Sequence, residues 1–334
     1  MRIAMDTREA HSSTPTGKGL LAKNILLELA KRHTKITEYH GRGWQWHLQT
    51  AHSVKQSGYD VYLSPTSFIV PWLLGTSVPT AIIIHDLIAF DREPHDRKAK
   101  LIERLLLPRV LKTAHFIFCV SKATKTDLLK KFPKTDTAKI TVIYEGPTMT
   151  ERGTRNEERG TPYILSLGTL CPRKNQLRLI QAFNSLPTSL KLRTKLILAG
   201  GRGWQDEEIV TLAKTSQNVK WRGYVPTQEL DSLFAHATVL AFPSLKEGFG
   251  LPVLDAMTLG VPVLTSNLRS MSEIAGDAAL LVDPESTEDI AKGLQRLLLE
   301  SDLRAALIHR GKERAKLFSW ERTVDFMMKA MQKY

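Results

Sequence analysis

Two acids, Glu247 and Asp255, frame the stretch where chemistry would concentrate: residues 243–257, PSLKEGFGLPVLDAM. Glu247 leads into the glycine-flanked loop Gly248, Phe249 and Gly250. Leu251 and Pro252 then open a helix that carries Asp255. Proline fits the first turn of a helix, where its missing N–H is not needed. Gly250 and Leu251 therefore sit at a helix N-terminus, with backbone N–H groups and a positive dipole end turned to an anion. Two carboxylates beside such an anion site suit a ligand that carries both phosphates and hydroxyls, as a nucleotide-sugar does.

Other residues extend that chemistry. In 168–175 (GTLCPRKN), Arg173 and Lys174 are adjacent cations on a loop after an apolar run. They suit a diphosphate, the arginine by its planar fork and the lysine as a point charge. A solvated basic pair is the plainer reading. Gly17-Lys18-Gly19 follows the first apolar run, and Gly17 and Gly19 would let backbone approach a phosphate or sugar. It also reads as a simple strand-to-helix turn, and the spacing is not that of a Walker A loop. His85 and Asp86 close an apolar run, where ligands sit in layered α/β folds. A lone strand-end histidine is as readily structural.

Elements that would position these groups alternate along the chain. Apolar, β-branched runs at residues 3–5, 60–64, 81–85, 116–121 and 140–144 are separated by helical periodicity at 20–31, 98–112 and 124–131. A polar, glycine-containing stretch at 147–161 reads as a linker, and the pattern then restarts. Strands are expected at 163–167, 195–199, 219–221, 239–242 and 261–265. Helices are expected at 175–186, 205–214, 227–235, 251–259, 288–299 and 303–316. Continuous apolar strands between helices indicate parallel sheets covered on both faces. Two doubly wound domains follow, with a cleft at the C-terminal ends of their strands. Their expected spans are 1–150 and 151–318, ahead of an amphipathic segment at 319–334.

The chain has 334 residues, 42% hydrophobic and 24% charged, as globular proteins are. Cys119 and Cys171 lie apart in apolar stretches, with no disulfide or metal spacing. No signal-peptide core and no apolar run near ~20 residues appears. The expected location is the cytoplasm, with peripheral attachment to the cytoplasmic face of the inner membrane as an option. Of the net charge of +13, about +9 falls in the first 150 residues. A basic face suits phosphorylated ligands, anionic lipid or nucleic acid. No helix-turn-helix, RNP-type or zinc-finger pattern accompanies it, so nucleic acid is not expected. The segment 98–112 (KAKLIERLLLPRVLK) reads as core packing with a solvated basic face or as a helix lying on an anionic membrane. Pro108 argues against one straight helix there.

Glu247, seven residues and Asp255, within PSLKEGFGLPVLDAM, resemble the E-x7-E motif of glycosyltransferase family 4, the retaining GT-B glycosyltransferases. GTLCPRKN, STPTGKGLLAK, the His85-Asp86 pair, the glycine loop at 200–203, RGYV at 222–225 and the segment around Ser266, Asn267 and Glu273 are similar to that family in turn. The resemblance implies a GT-B fold: two Rossmann-like domains facing a cleft, acceptor on the first, nucleotide-sugar on the second, with the last helix returning to the first. It implies His85 and Glu247 near the transferred sugar, and Arg173 and Lys174 on the diphosphate. Gly223 and Tyr224 would border the base by their backbone, and Asp255 the ribose hydroxyls. Asp255 stands where the family usually has glutamate, one methylene longer. No D-x-D pair occurs, so no metal or other cofactor is expected, and the two cations would stabilise the leaving diphosphate. Attack would come from the front face, assisted by the leaving phosphate. The implied partners are a nucleotide-sugar donor, best read as GDP-mannose, and a glycan or lipid-linked acceptor in cell-surface polysaccharide synthesis. A nucleotide-sugar epimerase or hydrolase and a non-catalytic anionic lipid- or nucleic-acid-binding protein are the alternatives.

Overall fold

The computed structural model describes residues 1–12, 16–91, 97–149 and 161–332, with only the backbone at 97–99 and 227–228. Residues 150–160, most of the expected linker, lie outside that description. The chain divides into two compact units. Unit 1 comprises Met1–Gly146 and Phe318–Tyr334, and unit 2 comprises Pro147–Leu317.

Unit 1 holds β1 (Arg2–Asp6), β2 (Lys35–Tyr39), β3 (Val61–Ser64), β4 (Thr80–Ile84), β5 (Phe116–Cys119) and β6 (Ile140–Val142) in a parallel sheet of order β2-β1-β3-β4-β5-β6. Its central strands read IAM, VYLS and AIII because helices cover both faces, and every residue of β3 and β4 is buried. Unit 2 repeats the plan with β7 (Tyr163–Leu167), β8 (Lys195–Ala199), β9 (Val219–Trp221), β10 (Val239–Phe242), β11 (Val263–Ser266) and β12 (Leu280–Val282), ordered β12-β11-β10-β7-β8-β9. In each sheet the winding direction reverses once, beside β1 in unit 1 and between β7 and β10 in unit 2. Loops leaving the carboxyl ends of strands at such a reversal diverge and leave a ligand crevice.

Several described elements were not legible as periodic runs, among them β2, the Gly43–Gln56 helix, the short Ile69–Leu74 and Arg269–Ala275 helices and β12. β2 and β12 are sheet edges, and β2 (KITEY) has no buried residue. One expectation is corrected. Gly17 and Gly19 lie inside the first turn of the Gly17–Lys31 helix, not in a loop ahead of it. The helix through Pro108 is continuous from Arg97 to Thr113. Leu107, Val110 and Leu111 are buried against the β4–β5 core, and that packing outweighs the one backbone bond a proline removes.

The helix Trp320–Met331 belongs to unit 1. Its stripe of Trp320, Val324, Met327 and Met331 is buried. Arg32 fixes it by donating to Asp325 at 2.6 Å and to the Glu321 carbonyl at 3.0 Å.

Candidate functional site

The reversal point of unit 2 carries the densest chemistry. The loop after β7 delivers Arg173 and Lys174, and the loop after β10 delivers Glu247. One carboxylate oxygen, Glu247 Oε1, lies 2.8 Å from Arg173 Nη1 and 2.8 Å from Lys174 Nζ. The three side chains are 11–14% exposed. Burial pushes the Lys174 ammonium below its ordinary range. Burial would raise the Glu247 carboxyl, but Lys174 and Arg173 outweigh it and hold the carboxyl below its ordinary range. Glu247 is therefore ionised at neutral pH, between two cations.

Local packing fixes this triad. Arg173 Nη1 also donates to the Lys246 carbonyl at 2.7 Å, and Ser270 Oγ donates to the Glu247 carbonyl at 2.7 Å. Lys174 Nζ stands 4.6 Å from the centre of the Phe242 ring. Its chain passes over Gly168 (φ +124°), where an added Cβ would lie 3.1 Å from Lys174 Cε. Asn175 adopts φ +62°, a left-handed conformation asparagine tolerates. Its amide nitrogen donates to the carbonyls of Pro243, at 2.9 Å, and Pro284, at 2.7 Å. One buried side chain thus ties together the loops after β7, β10 and β12.

Gly250 precedes the Leu251–Thr258 helix at φ +110°, where a Cβ would lie 2.3 Å from Met271 Cε. The Phe249 side chain is buried, and Leu251 is half-buried. What the loop offers is backbone at a helix N-terminus. Asp255 faces inward in this structure. Its Oδ1 accepts from the N–H groups of Thr148 (2.6 Å) and Met149 (3.1 Å), and its Oδ2 from Thr148 Oγ1 (2.6 Å). Burial, against those hydrogen bonds, pushes its carboxyl up to about 6. Gly223 (φ +74°) and Tyr224, 55% exposed, follow β9, two strands from β7.

His85 lies in unit 1, at the end of β4. Its Nε2 donates to the Pro65 carbonyl at 2.8 Å, which leaves the lone pair on Nδ1. Burial, with the Lys18 charge, pulls the ring down to about 4. Ring resonances followed by NMR should therefore titrate near pH 4, with no midpoint near the ordinary 6.5. A midpoint above 6 would overturn this tautomer and environment. The same end of the sheet brings Lys18, Asp86 and Glu103 to one cavity with His85. Lys18 and Glu103 were not singled out from sequence, because nothing in the spacing joins residues 18, 85 and 103.

Among the described residues no cluster of His, Cys, Asp or Glu has the arrangement of a metal site. Cys119 and Cys171 are buried free thiols, and burial pushes Cys119 up to about 12.

Two six-stranded Rossmann-like units, one with paired cations and an acid at its reversal point, define the GT-B glycosyltransferase class. The Glycosyl transferases group 1 model matches residues 149–314, and the Glycosyltransferase Family 4 model matches residues 9–147. The chain belongs to this family. O-antigen chain mannosyltransferase B of Escherichia coli is 42% identical over 162 residues, covering 48% of this chain and 42% of that protein. O-antigen chain mannosyltransferase RfbU of Salmonella typhimurium is 28% identical over 222 residues, covering 65% and 61%. The chain spans less than two-thirds of the length of these curated relatives. Anabaena Alr3699/HepE, solved with UDP and glucose, superposes with TM-score 0.76 at 16% identity over 100% of both chains. Sucrose-phosphate synthase from Thermosynechococcus elongatus superposes with TM-score 0.79 at 17% identity, over 100% of this chain and 98% of that one.

Proposed function

We propose that the protein is a retaining mannosyltransferase that moves a hexose from a nucleotide diphosphate sugar, GDP-mannose in the first instance, to a lipid-linked glycan in O-antigen synthesis. The observation that carries this is the buried Arg173–Lys174–Glu247 triad at the reversal point of unit 2. Its cations would receive the diphosphate, and Glu247 would hold them in register and meet the sugar hydroxyls. The choice of mannose draws on the names of the relatives.

In the proposed reaction an acceptor hydroxyl oxygen bonds to the anomeric carbon as the bond from that carbon to the β-phosphate oxygen breaks. The bonding pair leaves with the nucleoside diphosphate, and the acceptor proton passes to a leaving phosphate oxygen on the same face. Arg173 and Lys174 stabilise the charge that builds on the diphosphate, and no metal is needed for it. The His85 ring stays neutral at pH 7 and offers Nδ1 as an acceptor to a sugar hydroxyl. A ribose contact by Asp255 would have to displace Thr148 Oγ1.

Calorimetric titration with GDP, UDP, ADP and dTDP in EDTA tests the donor site. One nucleotide should bind, and Lys174→Ala should lower both its affinity and the transfer rate, the rate by about 10²–10³-fold. Binding that requires added metal, or that survives Lys174→Ala unchanged, would sink the reading. An inverted anomeric product would sink the retaining part alone.

The Arg97–Thr113 helix supplies the contact with a lipid-linked acceptor's membrane. Leu101 (59% exposed), Ile102 (41%) and Leu105 (50%) lie on its outer surface, beside Arg104, Arg109 and Lys112. Apolar insertion flanked by cations suits an anionic leaflet, at about 1 kcal/mol per basic residue near the surface. Co-sedimentation with phosphatidylglycerol vesicles is expected and should be lost in Leu101→Asp/Leu105→Asp. Equal binding to purely zwitterionic vesicles would overturn the electrostatic part.

A further inference from the structure

Asn175 follows the two cations of the triad in sequence and is 2% exposed. It joins the single turn Pro172–Lys174 to the Gln176–Asn184 helix, at φ +62° and ψ +26°. A left-handed residue there turns the chain from the loop that displays Arg173 and Lys174 into the helix. Glycine would make that turn without steric cost, so the turn alone does not call for an amide.

What the amide adds is register between loops. The Arg173 carbonyl accepts from the Leu245 N–H at 2.9 Å, and two residues on, Asn175 Nδ2 donates to the Pro243 carbonyl at 2.9 Å. Residues 173–175 therefore lie antiparallel alongside 243–245, and Glu247 follows just beyond that strip. Asn175 Nδ2 also donates to the Pro284 carbonyl at 2.7 Å, and Oδ1 accepts from Arg178 Nη1 at 3.1 Å. Two carbonyls on one side and a guanidinium on the other allow a single orientation of the amide. Gln176 is buried too, but its amide stays within its own loop, on the Cys171 N–H (3.4 Å) and the Thr169 carbonyl (3.1 Å). A slip of one residue between the loops would move them by about 3.5 Å. That would carry Glu247 Oε1 out of reach of both cations, which it meets at 2.8 Å.

We propose that Asn175 is the positioning residue of this site. Its amide fixes the loop of Arg173 and Lys174 against the loop of Glu247, and so sets the preference for a nucleoside diphosphate over a monophosphate. The proposal rests on the donor reading for its ligand, while the register of the loops stands on the hydrogen bonds alone. A second phosphate is recognised only where both cations are held at a fixed spacing. Loosening them removes its share of the affinity and spares that of the nucleoside and first phosphate.

The test is calorimetry on the whole chain with GDP, UDP, ADP and dTDP and their monophosphates, in the parent, Asn175→Gly and Asn175→Asp. Glycine keeps the left-handed turn and removes the amide. Aspartate keeps the shape and the acceptor for Arg178 but loses both donors, and Asn175→Gly serves if it does not fold. The diphosphate that binds the parent should lose about tenfold in each variant, the value of one charge-assisted hydrogen bond to the second phosphate. Its monophosphate should stay within about twofold. A nucleotide-free readout accompanies this: Glu247→Ala should lower the melting temperature about half as much in the Asn175→Gly background as in the parent, because members of one network couple. Equal losses for diphosphate and monophosphate, unchanged diphosphate affinity in a folded variant, or additive melting shifts would each overturn the proposal. A parent that binds none of the four diphosphates, yet shows coupled melting shifts, would instead overturn the donor reading and leave the register of the loops standing.

Discussion

Glu247→Ala is expected to abolish transfer and to cost unit 2 about 3–5 kcal/mol, the range for breaking a buried ion pair from one side. The reason is geometric. One oxygen of Glu247 sits 2.8 Å from both Arg173 Nη1 and Lys174 Nζ. Without it, two cations face one another in a pocket where water reaches only a tenth or so of each side chain. For a unit of this size each 1 kcal/mol is worth roughly 2–4 °C, so the melting temperature should fall by about 10 °C. Lys174→Met should cost less, because Glu247 keeps Arg173. The double variant Glu247→Ala/Lys174→Met should recover part of the loss, since one uncompensated charge goes with the other. Thermal unfolding followed by circular dichroism checks all three. A Glu247→Ala penalty below about 1 kcal/mol, the value of an exposed pair, would show that the cations are not held against one another.

The second large effect concerns Asp255, where alanine and asparagine should act in opposite directions. Asp255→Ala strands the N–H groups of Thr148 and Met149, at about 1–3 kcal/mol for each buried group left unsatisfied. Asp255→Asn keeps an oxygen for both N–H groups and can donate its amide to Thr148 Oγ1. It also removes a buried charge. The carboxyl's folded value of about 6 lies above its unfolded value near 3.9, so between those pH values the folded chain holds the extra proton. Stability from this group therefore falls as pH rises from 4 to 6 and stays lower above 6. Two pKa units correspond to about 3 kcal/mol, an upper bound for the gain of Asp255→Asn at pH 8. At pH 4 the two proteins should melt together. His85 contributes with the opposite sign in the same window, but it is common to both and drops out of the comparison. A constant difference across pH 4–8 would remove the charge argument.

Much of this architecture was legible because its signals are local. The central strands are short apolar runs, and the triad's residues sit on loops marked by glycine and proline. The Gly248–Gly250 loop and the helix opening at Leu251 follow from Pro252 alone. What was not legible depends on distance in sequence or on missing contrast. Thr148 meets Asp255 across 107 residues, and no pattern around either residue announces the pairing. Glu103 looks like one acid on a basic helix until β4 brings His85 and Asp86 beside it. β2 alternates weakly because neither of its faces is deeply buried.

The discontinuity of unit 1 bears on how the protein is made. Its last helix, Trp320–Met331, is encoded after the whole of unit 2, so the ribosome delivers unit 2 complete before unit 1 can close. The usual N-terminal-first order of domain completion is inverted here. While unit 2 folds, the surface that will receive Trp320, Val324, Met327 and Met331 stays bare, with Gly146 ready to take the Trp320 backbone so closely that a Cβ there would lie 2.5 Å from its nitrogen. Chains truncated after residue 317 and released from the ribosome should therefore hold a protease-resistant unit 2 beside a unit 1 that recruits holdase chaperones, and restoring that one helix should release them.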